Sequence, residues 1–246
     1  MLMSKENPIK GVIFDMDGLL LDTERLTYDL CSKAAEQMGF TLSMELFKTT
    51  VGLRSPDTRK IYEKEFGEGF DYDRLREQNI AWFWEYIKEN GAPVKKGVFE
   101  LLSFLRDNEI KSAVATSTSS ATAPRILEKA GITVYVDAVV CGDMVERGKP
   151  EPDIFLEAAK RLKLPPEQCV GLEDSINGIL SVYKAGMLPV MVPDLLPPTE
   201  EVTSLLYAQA DDLEQVIPII KKHNVCLLYT SPSPRDTERS RMPSSA

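Results

Sequence analysis

The sequence has few of the residues that most often carry catalysis or stabilise secreted folds. It contains a single histidine, His223, and four cysteines, which form neither a CxxC pair nor a His/Cys pattern typical of zinc sites. We interpret His223 as a partner of the dipole at the end of the last predicted helix, which excludes histidine catalysis. The cysteine pattern predicts reduced thiols in a cytoplasmic protein.

Other absences exclude whole classes of protein. No apolar run approaches the roughly 20 residues that a membrane-spanning helix needs, and the polar start MLMSKENPIKGVIF lacks the apolar stretch of a signal peptide. The net charge is −9 and the body of the chain has no block of basic residues. We therefore expect neither a membrane protein nor a nucleic-acid-binding protein.

The end of the chain differs in composition from the rest. Residues 225–246 are rich in Ser, Pro and Arg and show no apolar periodicity. This composition predicts a disordered tail, and its resemblance to a translated adapter or frameshift read-through favours a foreign origin. The folded body is predicted to end near Asn224.

Short β-rich runs alternate with helical patterns along most of the body. The strands are predicted at 9–14, 111–116, 137–141, 168–172, 188–192 and about 207–210. The helices between them are predicted at about 98–107, 119–130, after Pro152, at 175–185 and at 212–222. This alternation is typical of an α/β fold with a doubly wound, Rossmann-like parallel sheet.

One long segment interrupts this alternation directly after the first strand. Residues 20–92 contain no convincing strand, and helical patterns occur at about 23–40, 43–50, 56–66 and 71–90. We therefore predict a catalytic core formed by residues 1–18 and 93–224, with a helical cap inserted at 19–92.

Four short strings follow predicted strands or lie just beyond them. They are FDMDG at 14–18, ATST at 115–118, GKPEPD at 148–153 and GLEDS at 171–175. Open α/β sheets carry their chemistry at the carboxyl ends of the strands. Together the strings supply two carboxylates one residue apart, a hydroxyl, a lysine and an acidic pair, the groups needed to transfer a phosphoryl group through an aspartyl-phosphate with Mg²⁺.

These strings, in this order, resemble those of the haloacid dehalogenase-like hydrolase superfamily. The runs FDMDGLLLDTERL and GKPEPDIFLEAAKRL are similar to its sugar- and nucleoside-phosphatase and β-phosphoglucomutase branch, which carries a small helical cap. The resemblance covers residues 8–222. It implies a Mg²⁺-dependent phosphatase acting on a small phosphorylated metabolite, with a monomer as the default state of the branch.

The resemblance also implies a role for each motif residue. Asp15 would be the nucleophile and Asp17 the general acid and base. Thr116, with Ser117 and nearby backbone N–H groups, would hold the phosphate, whereas the alternative is that the STSS run simply caps the next helix. Lys149 would offset the negative charge of the aspartate and the phosphoryl group.

The same resemblance implies a magnesium site. Its expected ligands are Asp15, the backbone carbonyl of Asp17, and Asp174, with Glu173 binding directly or through water. The alternative is an acidic pair at the start of helix 175–185, which explains one acid better than two.

The cap is expected to close over the site and select the substrate. Glu24, in DTERL, and Arg54, in VGLRSPD, are its candidate substrate contacts. Sugar, polyol and nucleoside phosphates are the candidate substrates.

A mutase of the β-phosphoglucomutase kind is the alternative function. Those mutases carry a histidine four residues after the threonine of the DT pair, where this chain has Thr27. Their cap arginine stands three residues after a glycine, whereas here Gly52 is followed at two by Arg54 and at three by Ser55. Both differences favour hydrolysis. A phosphonate-cleaving enzyme is not favoured, because this chain has no recognisable cap lysine motif. A non-catalytic protein is not favoured either, because such proteins on this fold have usually lost a catalytic acid and this chain has lost none.

Overall fold

The computed structural model describes residues 7–53 and 55–230. They form a six-stranded parallel sheet in the order β3-β2-β1-β4-β5-β6. The strands are β1 (Gly11–Phe14), β2 (Lys111–Thr116), β3 (Ala138–Cys141), β4 (Cys169–Glu173), β5 (Leu188–Met191) and β6 (Ala208–Gln209). The α/β fold predicted from the alternating pattern is confirmed, and each predicted strand is present within two residues of its predicted bounds.

Helices cover both faces of the sheet, and a separate group of helices follows β1. The helices are α1 (Thr23–Gln37), α2 (Met44–Lys48), α3 (Ser55–Phe66), α4 (Tyr72–Asn90), α5 (Val98–Asp107), α6 (Ala123–Lys129), α7 (Asp153–Leu162), α8 (Ile176–Lys184), α9 (Glu200–Thr203) and α10 (Val216–Thr230). Every helix in the described part of the chain is too short or too polar to cross a membrane.

The central strand shows why the sheet is buried on both faces. All four residues of β1 are buried, as expected for a parallel strand with helices on either side. Successive side chains of a strand point to opposite faces. Val12 and Phe14 accordingly pack with residues of α5, α6 and α10, while Ile13 packs with residues of α7 and α8.

The four helices α1–α4 have a hydrophobic cluster of their own, distinct from those of the sheet. Its buried members include Cys31, Phe47, Tyr62 and Leu75. Leu19–Leu21, which the sequence prediction assigned to the inserted segment, instead pack in the cluster beneath the sheet. The segments through which the chain leaves and re-enters the core lie side by side. Asp22 N of the first donates to Pro93 O of the second over 2.9 Å.

Three local predictions differ from the structure. Helix α6 begins at Ala123 rather than 119, because the backbone N–H and hydroxyl of Ser120 both donate to Asp143 and hold a turn before the helix. Helix α10 continues to Thr230, so the predicted end of the body at Asn224 falls inside it. Residues 231–246 of the predicted tail lie outside the described residues.

His223 is the third difference. Its ring is 5% exposed, and its two nitrogens lie 3.0 Å from the Tyr207 hydroxyl and 2.9 Å from the backbone oxygen of Asn7. It therefore ties α10 to β6 and to the start of the described chain, instead of serving as a partner of the helix dipole.

Candidate active site

The motif residues lie at the carboxyl ends of three adjacent strands. Asp15 follows β1, Thr116 ends β2, and Glu173 ends β4. β1 is the strand at which the order of the sheet reverses, with β2 on one side and β4 on the other. Ligands of open α/β sheets bind at such a switch point, so the topology places these side chains where a ligand site is expected.

Lys149 forms the buried centre of this cluster. Its ammonium group donates to Asp15 Oδ1, to Glu173 Oε1 over 2.6 Å and to the backbone oxygen of Ala115 over 3.1 Å. Burial by itself lowers the pKa of Lys149, but attraction to Asp15 and Glu173 outweighs it and the pKa is raised. Lys149 is therefore a permanent positive charge between two carboxylates.

Asp17 is held by hydroxyl groups from two different parts of the chain. Thr23 Oγ1, at the start of α1, donates to Asp17 Oδ1 over 2.8 Å. Thr118 Oγ1, in the loop after β2, donates to Asp17 Oδ2 over 2.7 Å. Both carboxylate oxygens of Asp17 are thus oriented by neutral donors.

Glu173 and Asp174 differ in how they are engaged. Glu173 is fully buried, and its Oε2 accepts hydrogen bonds from the backbone N–H and the hydroxyl of Ser175 at 3.2 and 2.9 Å. Its other oxygen binds Lys149. Asp174 stands beside Gly18, whose φ of +88° and close approach to the Asp174 carboxylate leave no room for a side chain.

The donor set fits a divalent cation. Asp15, Glu173 and Asp174 each offer a carboxylate oxygen, and these oxygens lie within 4.8 Å of one another. Oxygen ligands of this kind are those that Mg²⁺ prefers. Among the described residues, the one ammonium group bonded to any of these acids is that of Lys149, and it binds Asp15 and Glu173, so negative charge remains for a cation to balance.

Burial, with a smaller contribution from repulsion between the acids, shifts the pKa values of two of these carboxyl groups. Burial raises the pKa of Asp15 to about 8; attraction to Lys149 opposes this, while Glu173 and Asp17 add to it. Burial, followed by repulsion from Glu173 and Asp15, likewise raises the pKa of Asp174. Perturbed carboxyl groups of this kind, gathered at the end of a sheet, are typical of functional sites.

The predicted phosphate-binding residues lie beside this cluster but in different environments. The Thr116 side chain is buried, and its Oγ1 accepts a hydrogen bond from the N–H of Thr118 at 3.0 Å. Ser117 is exposed at the turn that follows. The hydroxyl of Thr116 therefore shapes the loop after β2 and lies next to the strand that carries Asp15. The STSS run does not cap α6, which begins at Ala123 and has no side-chain cap.

A cleft of about 460 Å³ lies over Asp17, between the sheet and the α1–α4 helices. Its walls include Glu24 and Thr27 of α1, Asn79 and Trp84 of α4, and Thr118. The lining residues that the structure describes include no lysine or arginine. Arg54, the other predicted substrate contact, lies outside the described residues.

Glu24 stands out among the residues that line this cleft. Its carboxylate makes no hydrogen bond or ion pair with any described residue, although it is only partly exposed. Burial, followed by repulsion from Asp17 and Asp194, raises its pKa to about 7, against the attraction of Lys95. An acceptor kept without a partner inside a cleft is available to a ligand.

Sequence reasoning missed the two threonines that hold Asp17. Thr118 had a local signal, because it stands two residues after Thr116 and extended residues at that spacing share a face. Thr23 had none, since its contact with Asp17 depends on how the chain turns between β1 and α1. Asn79, which also lines the cleft, lies in a segment whose pattern predicted only a helix.

Comparison with known proteins identifies the family. A model of the haloacid dehalogenase-like hydrolase family matches residues 9–186. The chain belongs to this family. A phosphorylated carbohydrates phosphatase of Thermotoga maritima is 35% identical over 184 residues, which cover 73% of this chain and 82% of the relative. A protein of Drosophila melanogaster described as a probable pseudouridine-5′-phosphatase is 34% identical over 74% of this chain and 80% of its own length.

A solved structure shares the whole architecture. The crystal structure of β-phosphoglucomutase from Clostridium difficile superimposes with a TM-score of 0.68 and 26% sequence identity, covering 89% of this chain and 99% of that one. The predicted family and fold are therefore confirmed, and so is the prediction of an enzyme of the phosphatase type.

Proposed function

We propose that this protein is a Mg²⁺-dependent phosphatase that hydrolyses a small phosphorylated metabolite through an aspartyl-phosphate on Asp15. The observation that carries the proposal is the pairing of Asp15 with the buried ammonium group of Lys149, while Asp17, two residues away, is held by two hydroxyls. The fixed positive charge beside the first carboxylate supports Asp15 as the nucleophile. The two hydroxyl donors support Asp17 as the general acid and base.

The reaction would proceed in two steps. The Asp15 oxygen that is not bonded to Lys149 attacks phosphorus, and the bond from phosphorus to the ester oxygen breaks as Asp17 donates a proton to that oxygen. Asp17 then takes a proton from water, the water oxygen attacks phosphorus, and the Asp15 carboxylate leaves. Lys149 offsets the charge that develops on Asp15 and the transferring group in both steps.

Mg²⁺ would be held by Asp15, Asp174 and the backbone carbonyl of Asp17. When bound, it would neutralise charge on the phosphoryl oxygens. Both oxygens of Glu173 are already engaged by Lys149 and Ser175. We therefore assign Glu173 to positioning Lys149 and to contact with the ion through water, with Thr116 and Ser117 on the phosphate side.

The cleft supports a sugar, polyol or nucleoside phosphate as the substrate. Glu24 can accept hydrogen bonds from hydroxyl groups, and the amide of Asn79 can both accept and donate them. Trp84 offers an apolar wall. A further cavity of about 340 Å³ within the cap also borders Glu24, Thr27 and Asn79, so there is room beyond a three-carbon ester. The phosphorylated carbohydrates phosphatase among the relatives favours the same class.

A hexose phosphate mutase is the second candidate, favoured by the likeness to a β-phosphoglucomutase structure. Such a reaction passes through a bisphosphate, which needs positive charge at both ends of the cleft. The described lining of the cleft includes the Glu24 carboxylate and no cationic side chain, and the one cationic side chain in the described lining of the adjoining cavity is Arg76. Thr27, which also lines it, has no group that could serve as an acid or base near neutral pH.

The experiment is a panel of sugar, polyol and nucleoside phosphates incubated with the full chain and Mg²⁺, with phosphate release as the readout. β-Glucose 1-phosphate is included, and formation of glucose 6-phosphate is followed in parallel. We expect phosphate release from one or a few compounds, its loss in excess chelator and its return when Mg²⁺ is restored. Isomerisation without phosphate release would overturn the proposal in favour of the mutase, and full activity in chelator would overturn the role of the metal.

A further inference from the structure

A loop of the core reaches across to the cap. The segment between β5 and α9 contains Asp194, whose side chain is 1% exposed. Asp194 Oδ1 accepts hydrogen bonds from Lys95 Nζ at 2.6 Å and from a guanidinium nitrogen of Arg25 at 3.0 Å. Lys95 belongs to the segment that returns from the cap, and Arg25 belongs to α1, so one buried carboxylate joins three parts of the chain.

The residue after Asp194 strengthens this connection. Leu195 is 8% exposed and is a member of the hydrophobic cluster formed by the cap helices, although it belongs to the core by sequence. The β5–α9 loop is therefore attached to the cap by both an apolar contact and an ion pair. The same loop begins beside the catalytic edge, because Val192 N donates to Glu173 O over 2.8 Å.

The first turn of α1 is thus held from two sides. On one side Thr23 donates to Asp17. On the other side Arg25 is bonded to Asp194, while Lys95 also reaches Asp22 at 3.3 Å. A shift of this turn would move the Thr23 hydroxyl away from Asp17, and small misplacements of catalytic groups are costly.

We propose that Asp194 is a positioning residue for the general acid. It acts through Arg25 and Lys95, which place the first turn of α1 so that Thr23 orients the carboxylate of Asp17. The proposal rests on the proposed phosphatase function, because it needs Asp17 to protonate the leaving oxygen. It assigns to the β5–α9 loop a part in catalysis without any contact between that loop and the reacting atoms.

The test compares two phosphate esters that differ in their need for an acid. The leaving group of p-nitrophenyl phosphate is a stable anion and gains little from protonation, whereas phenyl phosphate gains more. The readout is kcat/KM, which reports the first step alone, because hydrolysis of the phosphoryl-enzyme is common to both esters and also needs Asp17. For Asp194→Asn we expect kcat/KM on phenyl phosphate to fall on the order of tenfold, a part of the 10²–10⁴ that general acids contribute. We expect kcat/KM on p-nitrophenyl phosphate to change less than about threefold.

Neighbouring lysines supply a matched control. Lys95→Met removes the partner of Asp194, whereas Lys96→Met removes an exposed lysine that pairs with Asp212 instead. The first should show the same selective loss and the second should behave as the wild type. Arg25→Met is a further variant that should fold normally, since the Arg25 side chain is 51% exposed, and it should lose the acid-dependent reaction selectively.

Each outcome decides the proposal. An equal loss on both esters in the Asp194 and Arg25 variants would indicate a merely structural role and overturn it, as would unchanged rates. If the wild type hydrolyses neither these esters nor any compound of the metabolite panel, the phosphatase function itself fails and this inference falls with it. If it hydrolyses panel compounds but neither aryl ester, the variants are compared on the best panel substrate, where an unchanged pH profile of kcat/KM overturns the proposal. Wild-type hydrolysis of both esters, with selective loss in the variants, supports both.

Discussion

The catalytic edge of the sheet and the cleft wall formed by the cap differ in how their polar groups are partnered. At the edge, Lys149 has three acceptors, Glu173 binds both Lys149 and Ser175, and Asp17 accepts two hydroxyl hydrogen bonds. In the cleft wall, the Glu24 carboxylate has no partner among the described residues. The edge is already organised for one reaction, whereas the wall leaves a polar group free for a ligand. The difference suggests that the core determines the chemistry and the cap selects the substrate.

The largest expected effect comes from replacing Asp15, the proposed nucleophile at the catalytic edge of the sheet. We expect Asp15→Asn to lower phosphate release by on the order of 10⁴ to 10⁶, the range seen when a nucleophile is removed. The fold should survive, because Asn has nearly the same shape and Lys149 keeps Glu173 as its partner. Phosphate release and circular dichroism measure the two effects. Substantial residual turnover on the best substrate of the panel would contradict covalent catalysis.

A second variant removes the buried ammonium group of Lys149 from the catalytic edge of the sheet. Lys149→Met leaves Asp15 and Glu173 buried without their cation, so we expect a loss of about 3–5 kcal/mol of unfolding free energy near neutral pH. Activity should fall on the order of 10²–10³. The stability loss should shrink as the pH falls towards about 4, the ordinary pKa of Asp in an unfolded chain, because burial raises the pKa of Asp15 in the folded protein and both states are neutral below that pH.

Urea denaturation at two pH values measures the stability effect of Lys149→Met. Lys160→Met is the matched control, because that lysine is 81% exposed and pairs only with Glu157. An equal loss of unfolding free energy in both variants would show that the buried ion pairs of Lys149 contribute no more to stability than an exposed ion pair does.

A smaller effect, and one of opposite sign for stability, is expected in the cap. The pKa of Glu24 is raised from 4.5 to about 7, so folding favours its protonated form. The resulting penalty is absent below about pH 4.5, grows as the pH rises towards 7, and is complete above that. At about 1.36 kcal/mol per pKa unit, Glu24→Gln should stabilise the protein by roughly 3 kcal/mol at pH 8.

The same variant should bind its sugar or polyol phosphate less well, with an increased KM, because Gln is a weaker acceptor for hydroxyl groups. Chemical denaturation in chelator at pH 8 and pH 4.5, together with KM on the best substrate of the panel, measures both effects. A gain in stability that is equal at both pH values would contradict the raised pKa of Glu24, and an unchanged KM would remove Glu24 from the substrate site.

The same contrast explains how much could be predicted from the sequence. Asp15, Thr116 and Glu173 were predictable because each directly follows or ends a short apolar strand, and parallel strands bring their ends together. Thr23, Asp194 and Leu195 were not, because their contacts depend on how the cap sits on the core. The start of α6 was misplaced for a similar reason, since Asp143 lies 23 residues from the Ser120 that it holds.

The most direct test of the account is to trap the phosphoryl group on Asp15. The Asp17→Asn variant is mixed with p-nitrophenyl phosphate and Mg²⁺, and the protein is quenched and mapped by mass spectrometry. Because this leaving group needs little protonation while the second step needs a base, we predict a burst of p-nitrophenol and one phosphoryl group on Asp15. Release of inorganic phosphate without any phosphorylated protein, or a phosphoryl group on another residue, would contradict the account.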